Sequence, residues 1–200
     1  MPFKPNEREY RATYEFIAEK ENEDKLIIKG TPIVFNTPTV LFESDGVEYK
    51  EIIDKNALTG CDMSDFILNR NHGQNDGTVY ARTKNKSLKF NITDRGLEIE
   101  ALLDEEDERH KNLYRDIEKG RVDKMSFSFV VEESAYNKET HTRTVMKIKK
   151  LYDVSAVDFP AYNDTSITAA RDYFSAECEK ELKEVEMLRE RERLIALTYC

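Results

Sequence analysis

The chain has 200 residues, 39% hydrophobic and 36% charged, with ten Phe, ten Tyr and no Trp. That length suits one domain with an ordinary core plus an extension, and the aromatic and β-branched content excludes a disordered chain. A formal net charge of −9 excludes general nucleic-acid binding, which needs lysine and arginine to neutralise phosphates.

Residues 1–25 are polar apart from Tyr14, Phe16 and Ile17, which could open an edge strand. Residues 26–35 read as a strand, with Gly30 and Pro32 marking a kink or bulge. Residues 47–58 begin with strand alternation and end ambiguously. The short apolar run Phe66-Ile67-Leu68 predicts a buried strand, with the loop Asn69-Arg70-Asn71-His72-Gly73 leaving His72 at its end.

Over residues 86–103, Leu88, Phe90 and Ile92, then Leu97, Ile99, Ala101 and Leu103, alternate with polar residues around the turn Thr93-Asp94-Arg95-Gly96. This predicts a hairpin with one buried face. The period then changes. Asp104 as N-cap, acidic residues after it and Gly120 as stop predict a helix over 104–119, with His110, Leu113 and Ile117 on one face.

Residues 122–132 predict a strand with Met125, Phe127, Phe129 and Val131 on one side and Ser126, Ser128 and Val130 on the other. Residues 145–158 predict another, stopped by Phe159-Pro160; Lys147, Lys149 and Lys150 read as its solvated face. Residues 172–197 turn rich in Glu, Lys, Arg and Leu. Cys178, Leu182, Val185 and Leu188 form a narrow stripe there, only partly heptad, on a long helix.

The expected architecture is α+β, a mainly antiparallel, barrel-like β core with a central helix and a long C-terminal helix. Residues 1–170 are expected to form the main domain and 171–200 a charged helical extension. Cys61, Cys178 and Cys200, odd in number and without ligand spacing, suit a reducing compartment. No run reaches the ~18 apolar residues of a membrane span and no signal-peptide core is present, so a cytoplasmic protein without membrane contact is expected.

Three histidines limit any serine–histidine chemistry. A serine attacks a carbonyl only when a base takes its proton, and the base needs a partner that fixes its tautomer. His110 sits mid-helix and His141 in a polar hairpin-like loop, while His72 ends a buried strand beside Gly73. Ser126, between large apolar neighbours on a strand, reads on its own as facing a polar interior or solvent more readily than as a nucleophile. Asp153 lies inside an apolar strand, where a carboxylate requires a partner.

Several segments, in order, resemble the prohead maturation protease family of tailed phages, which is related in fold to the herpesvirus capsid-maturation protease. Gly30-Thr31-Pro32-Ile33-Val34-Phe35-Asn36 resembles its first strand, and Glu51 to Leu58 its Glu-rich stretch. Asn71-His72 resembles its Asn-His pair, and GRVDKMSFSF (120–129) the strand bearing its nucleophile. Leu151 to Val157 and Pro160-Ala161-Tyr162 resemble its acid-bearing strand and Pro-Ala-Tyr end. The match covers roughly residues 26–170.

The resemblance implies a herpesvirus-protease-like fold and a serine endopeptidase with Ser126 as nucleophile, His72 as base and Asp153 as orienting acid. Two positions depart from the family pattern. Ser128 replaces a glycine and is a reserve nucleophile, and Asp153 replaces the more usual Glu. His110 or His141 could take the third role, as a second histidine does in the herpesvirus enzymes, and Arg82 or Arg121 could assist an oxyanion hole. No metal or organic cofactor is called for. The implied partners are the phage major capsid protein precursor and scaffold, and a homo-oligomer, inside an immature procapsid in the host cytoplasm. Self-cleavage is implied too. The rival reading is a catalytically inactive scaffold or assembly factor on the same fold.

Overall fold

Two long strands joined by a tight loop organise the molecule. In this computed structural model the described residues are 8–13, 16–20, 25–74, 77–158 and 164–198. Among the described residues there are eleven strands: β1 (Arg8–Thr13), β2 (Phe16–Lys20), β3 (Leu26–Val34), β4 (Thr39–Ser44), β5 (Val47–Ile53), β6 (Ile67–Arg70), β7 (Ala81–Arg82), β8 (Leu88–Ile92), β9 (Gly96–Leu103), β10 (Lys124–Asn137) and β11 (Thr142–Val157). The helices are α1 (Glu108–Glu118), α2 (Asp164–Thr198) and a 3₁₀ turn at Asn71–Gly73.

β11 is the hub. Along one edge it pairs antiparallel with β10. Along the other it pairs in parallel, first with β5 at Thr142–Val145 and then with β6 at Asp153–Ala156. The larger sheet runs β1-β10-β11-β5-β4, with β6 and β7 beside the far end of β11. The smaller sheet, β2-β3-β9-β8, is antiparallel throughout. Mixed α+β architecture is therefore observed, but the expected barrel is not. Among the described residues each sheet keeps open ends, because the smaller sheet meets the larger by packing β3 over β10 and not by edge pairing.

The core lies between the two sheets. Ile28, Ile33, Leu97 and Ile99 of the smaller sheet meet Met125, Phe127 and Phe129 of β10 in one buried cluster. The predicted alternation on β10 thus places its large apolar residues inward and leaves Ser126 and Ser128 on the opposite face. That face is also buried. The bulge expected near Gly30 is present, as a register shift between Gly30 and Ile33.

The hairpin β8–β9 forms as expected, but its buried face is incomplete. Phe90 and Ile92 are 40% and 44% exposed, because β8 is the sheet's outermost strand and runs past the core. Helix α1 starts later than expected. Its N-cap is Asp107, which accepts from the Arg109 amide at 2.8 Å, while Asp104 accepts from the Glu106 amide in the preceding turn. Gly120, at φ +65°, ends the helix as predicted.

Helix α2 packs Tyr173 and Phe174 against Phe42, Tyr49 and Tyr136 and then leaves the body, with Met187, Leu188, Leu194 and Ile195 exposed. Of the predicted stripe, Cys178 is half-buried and Leu188 exposed; the side chains of Leu182 and Val185 lie outside the described residues. So do Tyr14, the segment Phe159 to Tyr162, and Cys200. Among the described residues no helix is long and apolar enough to cross a membrane.

Candidate active site

Three consecutive residues after β6, Asn71, His72 and Gly73, have φ of 48°, 57° and 73°. Two non-glycine residues in the left-handed region store backbone strain, which persists only where surrounding contacts enforce it. Here Asn71 supplies the enforcement. Its Oδ1 accepts from the Asp158 amide at 3.1 Å and its Nδ2 donates to the Asp158 carboxylate at 2.8 Å. Arg70 binds the same carboxylate at 2.6 Å and Asp116 at 3.1 Å. The turn is thereby fastened to the end of β11, and the His72 amide donates to Ser155 Oγ at 3.2 Å.

This orientation sends the imidazole across the sheet. His72 Nε2 lies 2.7 Å from Ser126 Oγ and Nδ1 lies 2.6 Å from Asp153 Oδ1. Strand register brings its partners together. Ser126 lies opposite Ser155, Ser128 opposite Asp153, and Ile67 and Asn69 of β6 flank Asp153 and Ser155 on the other side. Asp153, where the resemblance leads one to expect a glutamate, reaches His72 from β11, which is paired in parallel with β6 at that point.

Asp153 has further partners. Ser128 donates to its Oδ2, and Ser155 Oγ sits 2.8 Å from its Oδ1, 3.0 Å from His72 Nδ1 and in hydrogen-bond contact with Asn69 Oδ1. Burial alone would push the Asp153 carboxyl up, but the hydrogen bond and charge of His72, with the bonds from Ser128 and Ser155, bring it below its ordinary value. It is therefore a buried carboxylate kept ionised, which fixes the imidazole with Nδ1 protonated and Nε2 open to accept.

Other candidates lie elsewhere. His110 is buried against Tyr80, where its Nδ1 accepts from the Asp104 amide at 3.0 Å. His141 contacts the Tyr136 hydroxyl at 3.1 Å, in the loop between β10 and β11. Arg82 pairs with Asp65 at 2.6 Å and Arg121 with Asp116 at 2.8 Å, both on the surface.

Several members of the cluster were not foreseen. Ser155, Asn69 and Tyr10, whose ring meets that of His72 edge-on at 4.7 Å, carry no signal of their own in the sequence. The remaining one is the backbone carbonyl of Arg11, which accepts from Ser126 Oγ at 2.7 Å. Beside it, on the opposite face of β1, the Arg11 guanidinium bonds Glu51 at 2.6 and 2.8 Å and Glu9 at 2.6 Å. Arg143 bonds Glu9 at 2.7 and 3.0 Å, and its guanidinium lies 4.2 Å over the Tyr173 ring.

A hydroxyl, an imidazole and an ionised carboxylate in one hydrogen-bonded line are equipped for acyl transfer through a serine ester. The open two-sheet α+β fold carries this line as a candidate hydrolase site. The chain belongs to the caudovirus prohead serine protease family, whose family model matches residues 13–180. No curated protein and no solved structure gives a significant match.

Proposed function

We propose that the chain is a serine endopeptidase of phage procapsid maturation in which Ser126 is the nucleophile, His72 the base and Asp153 the orienting acid. The observation that carries this reading is His72 standing between Ser126 and Asp153 at 2.7 and 2.6 Å. Ser126 Oγ attacks the scissile carbonyl as Nε2 takes its proton. The imidazolium is stabilised by Asp153 and returns the proton to the departing amine, and water then releases the acyl group by the same relay in reverse. Ser128 supports the acid in this scheme, since its hydroxyl donates to Asp153 and not to His72.

Family membership supports the substrate class: scaffold protein, or the scaffold-like domain of the major capsid protein precursor, cleaved inside the immature procapsid in the host cytoplasm, together with the protease itself. A fold kinship with the herpesvirus capsid-maturation protease belongs to the same proposal. So does the division into a protease domain over 1–170 and a helical extension over 171–200, whose start is anchored by Tyr173 and Phe174. A second reading, an inactive assembly factor on this fold, is favoured by one observation: Ser126 is 0% exposed.

The test is intact-mass analysis of wild type, Ser126→Ala and Ser128→Ala with the cognate capsid precursor. Fragments from wild type and Ser128→Ala, and none from Ser126→Ala, are expected. Fragments lost only in Ser128→Ala would transfer the nucleophile, and none from any folded variant would favour the assembly factor.

A further inference from the structure

A nucleophile that is 0% exposed cannot meet a substrate. The element over it is β1, the terminal strand of the larger sheet, paired with β10 so that Ala12 lies opposite Ser126 and Tyr10 opposite Ser128. Three contacts of β1 fall on the reacting groups themselves. The Arg11 carbonyl accepts from Ser126 Oγ at 2.7 Å, Tyr10 meets the His72 ring at 4.7 Å, and Arg8 Nη1 lies 4.0 Å from Asp153 Oδ2. Ser126 has one proton and two acceptors, His72 Nε2 and this carbonyl. Every bond to the carbonyl withholds the proton from the base.

We infer that β1 is a removable cover standing where the backbone of a substrate segment lies during the reaction. An extended polypeptide segment, pairing antiparallel with the edge of β10 that β1 vacates, would present its own carbonyl beside Ser126 as β1 now presents that of Arg11. Strand addition to a sheet edge is a general mode of peptide recognition. The inference rests on the assignment of Ser126 given above. Its physical requirement is that β1 can leave while the body stays folded. Among the described residues β1 has a partner strand on one edge only, and apart from Thr13 it lies ahead of the family-matched stretch at 13–180. Its anchors are the ion pairs of Glu9 and Arg11 with Arg143 and Glu51, and Arg8 stacked 3.9 Å over Tyr152. When β1 departs, Glu51 and Arg143 still have each other at 3.2 Å, so no buried charge is left alone.

The experiment fastens the cover reversibly in the full chain. Arg8 and Val130 are directly paired across β1 and β10, and directly opposed antiparallel residues have Cα atoms about 4.5–5.5 Å apart, within disulfide range. In Arg8→Cys/Val130→Cys, peptide mapping verifies the crosslink, and a fluorophosphonate probe reports the accessibility and reactivity of Ser126. The oxidised form is expected to label at least tenfold more slowly than the reduced form, and reduction to restore both labelling and precursor cleavage; the parent chain, oxidised in parallel, is expected to be unaffected. In a second variant, Arg8→Ala/Tyr10→Ala, the side-chain contacts of β1 with His72 and Asp153 are cut, while the Arg11 carbonyl and the ion pairs of Glu9 and Arg11 are kept. Loss of a cation–π contact and an aromatic pair should raise labelling about fivefold or more over the parent. Equal labelling of the oxidised and reduced forms, or no acceleration in the second variant, would overturn the cover while leaving the nucleophile assigned. Absence of Ser126 labelling in the parent and both variants, with the fold intact, would instead overturn the catalytic assignment beneath it.

Discussion

Asp153 illustrates how a single buried group sets the behaviour of its neighbours. Its carboxylate receives hydrogen bonds from His72 and Ser128, and Ser155 Oγ lies 2.8 Å from it. Replacing it by Asn keeps the volume but removes the charge that stabilises the imidazolium and offers an amide that favours the wrong tautomer. On the proposed assignment, Asp153→Asn is expected to lower kcat by about 10³–10⁴-fold with little change in KM, read by initial rates of precursor cleavage. A loss under tenfold would detach Asp153 from the base. Of the proposed site, His72, Ser126 and Asp153 were expected chiefly from the ordered motifs of the resemblance; few histidines and a carboxylate inside an apolar strand only narrowed the field. Ser155 and Asn69 were not legible, because their role follows from parallel pairing of β6 with β11, which no local pattern encodes. Cys61 is a simpler case. Burial pushes its thiol up to about 11. At pH 8 only about one molecule in a thousand then carries the nucleophilic thiolate, so iodoacetamide should leave Cys61 unmodified in the native protein and alkylate it in urea. Rapid native alkylation mapped to Cys61 would contradict the raised pKa of this half-buried thiol.

At the scale of elements, the hairpin β8–β9 depends on one glycine. A Cβ at Gly96 would fall 1.9 Å from the Ile33 carbonyl oxygen, with the Ile33 carbonyl carbon at 2.9 Å. Both are backbone atoms of β3 and cannot rotate aside. Gly96→Ala should therefore force β3 and β9 apart and cost about 3 kcal/mol or more, measured from the urea midpoint; an unchanged midpoint would show that the strands can separate freely there. The hairpin itself was readable from its alternation and turn. The strand β1 was not, because Arg-Glu-Tyr-Arg-Ala-Thr carries no apolar stripe; what makes it a strand is pairing with β10 and the ion pairs of Glu9 and Arg11. The start of α1 was misplaced by three residues because the acidic run offers several capping aspartates. Choice among them depends on where β9 ends. Likewise, barrel closure is a question of which edges meet, and alternation along a strand says only which face is buried.

Across the whole molecule, charged groups that join separate elements govern the response to acid. Glu9, buried with Arg11 and Arg143, has burial pushing its carboxyl up and the two guanidiniums bringing it below its ordinary value. Asp158 is likewise raised by burial but lowered overall by Asn71 and Arg70, and Asp153 is lowered as described. A carboxyl held below its unfolded value contributes stability that is full above that value, about 4 for Asp and Glu, and is lost as pH falls through the folded value. His110 adds a loss at higher pH. Burial lowers it despite the opposing charges of Asp107 and Asp104, so its neutral form, accepting from the Asp104 amide, is favoured by folding. For a base lowered in this way, stability is full above the unfolded value of about 6.5 and declines as pH falls below it. The urea midpoint should therefore be level from about pH 8 to 7, decline gently through about pH 6 as the unfolded state takes up the His110 proton, and fall steeply below about pH 4.5 as the carboxylates joining β1, β6 and β11 to their neighbours are protonated. In His110→Gln the gentle decline should vanish while the steep one stays. A midpoint that rises between pH 7 and pH 5, or a gentle decline that survives in His110→Gln, would show that the buried imidazole is not held neutral by the contact between α1 and the end of β9.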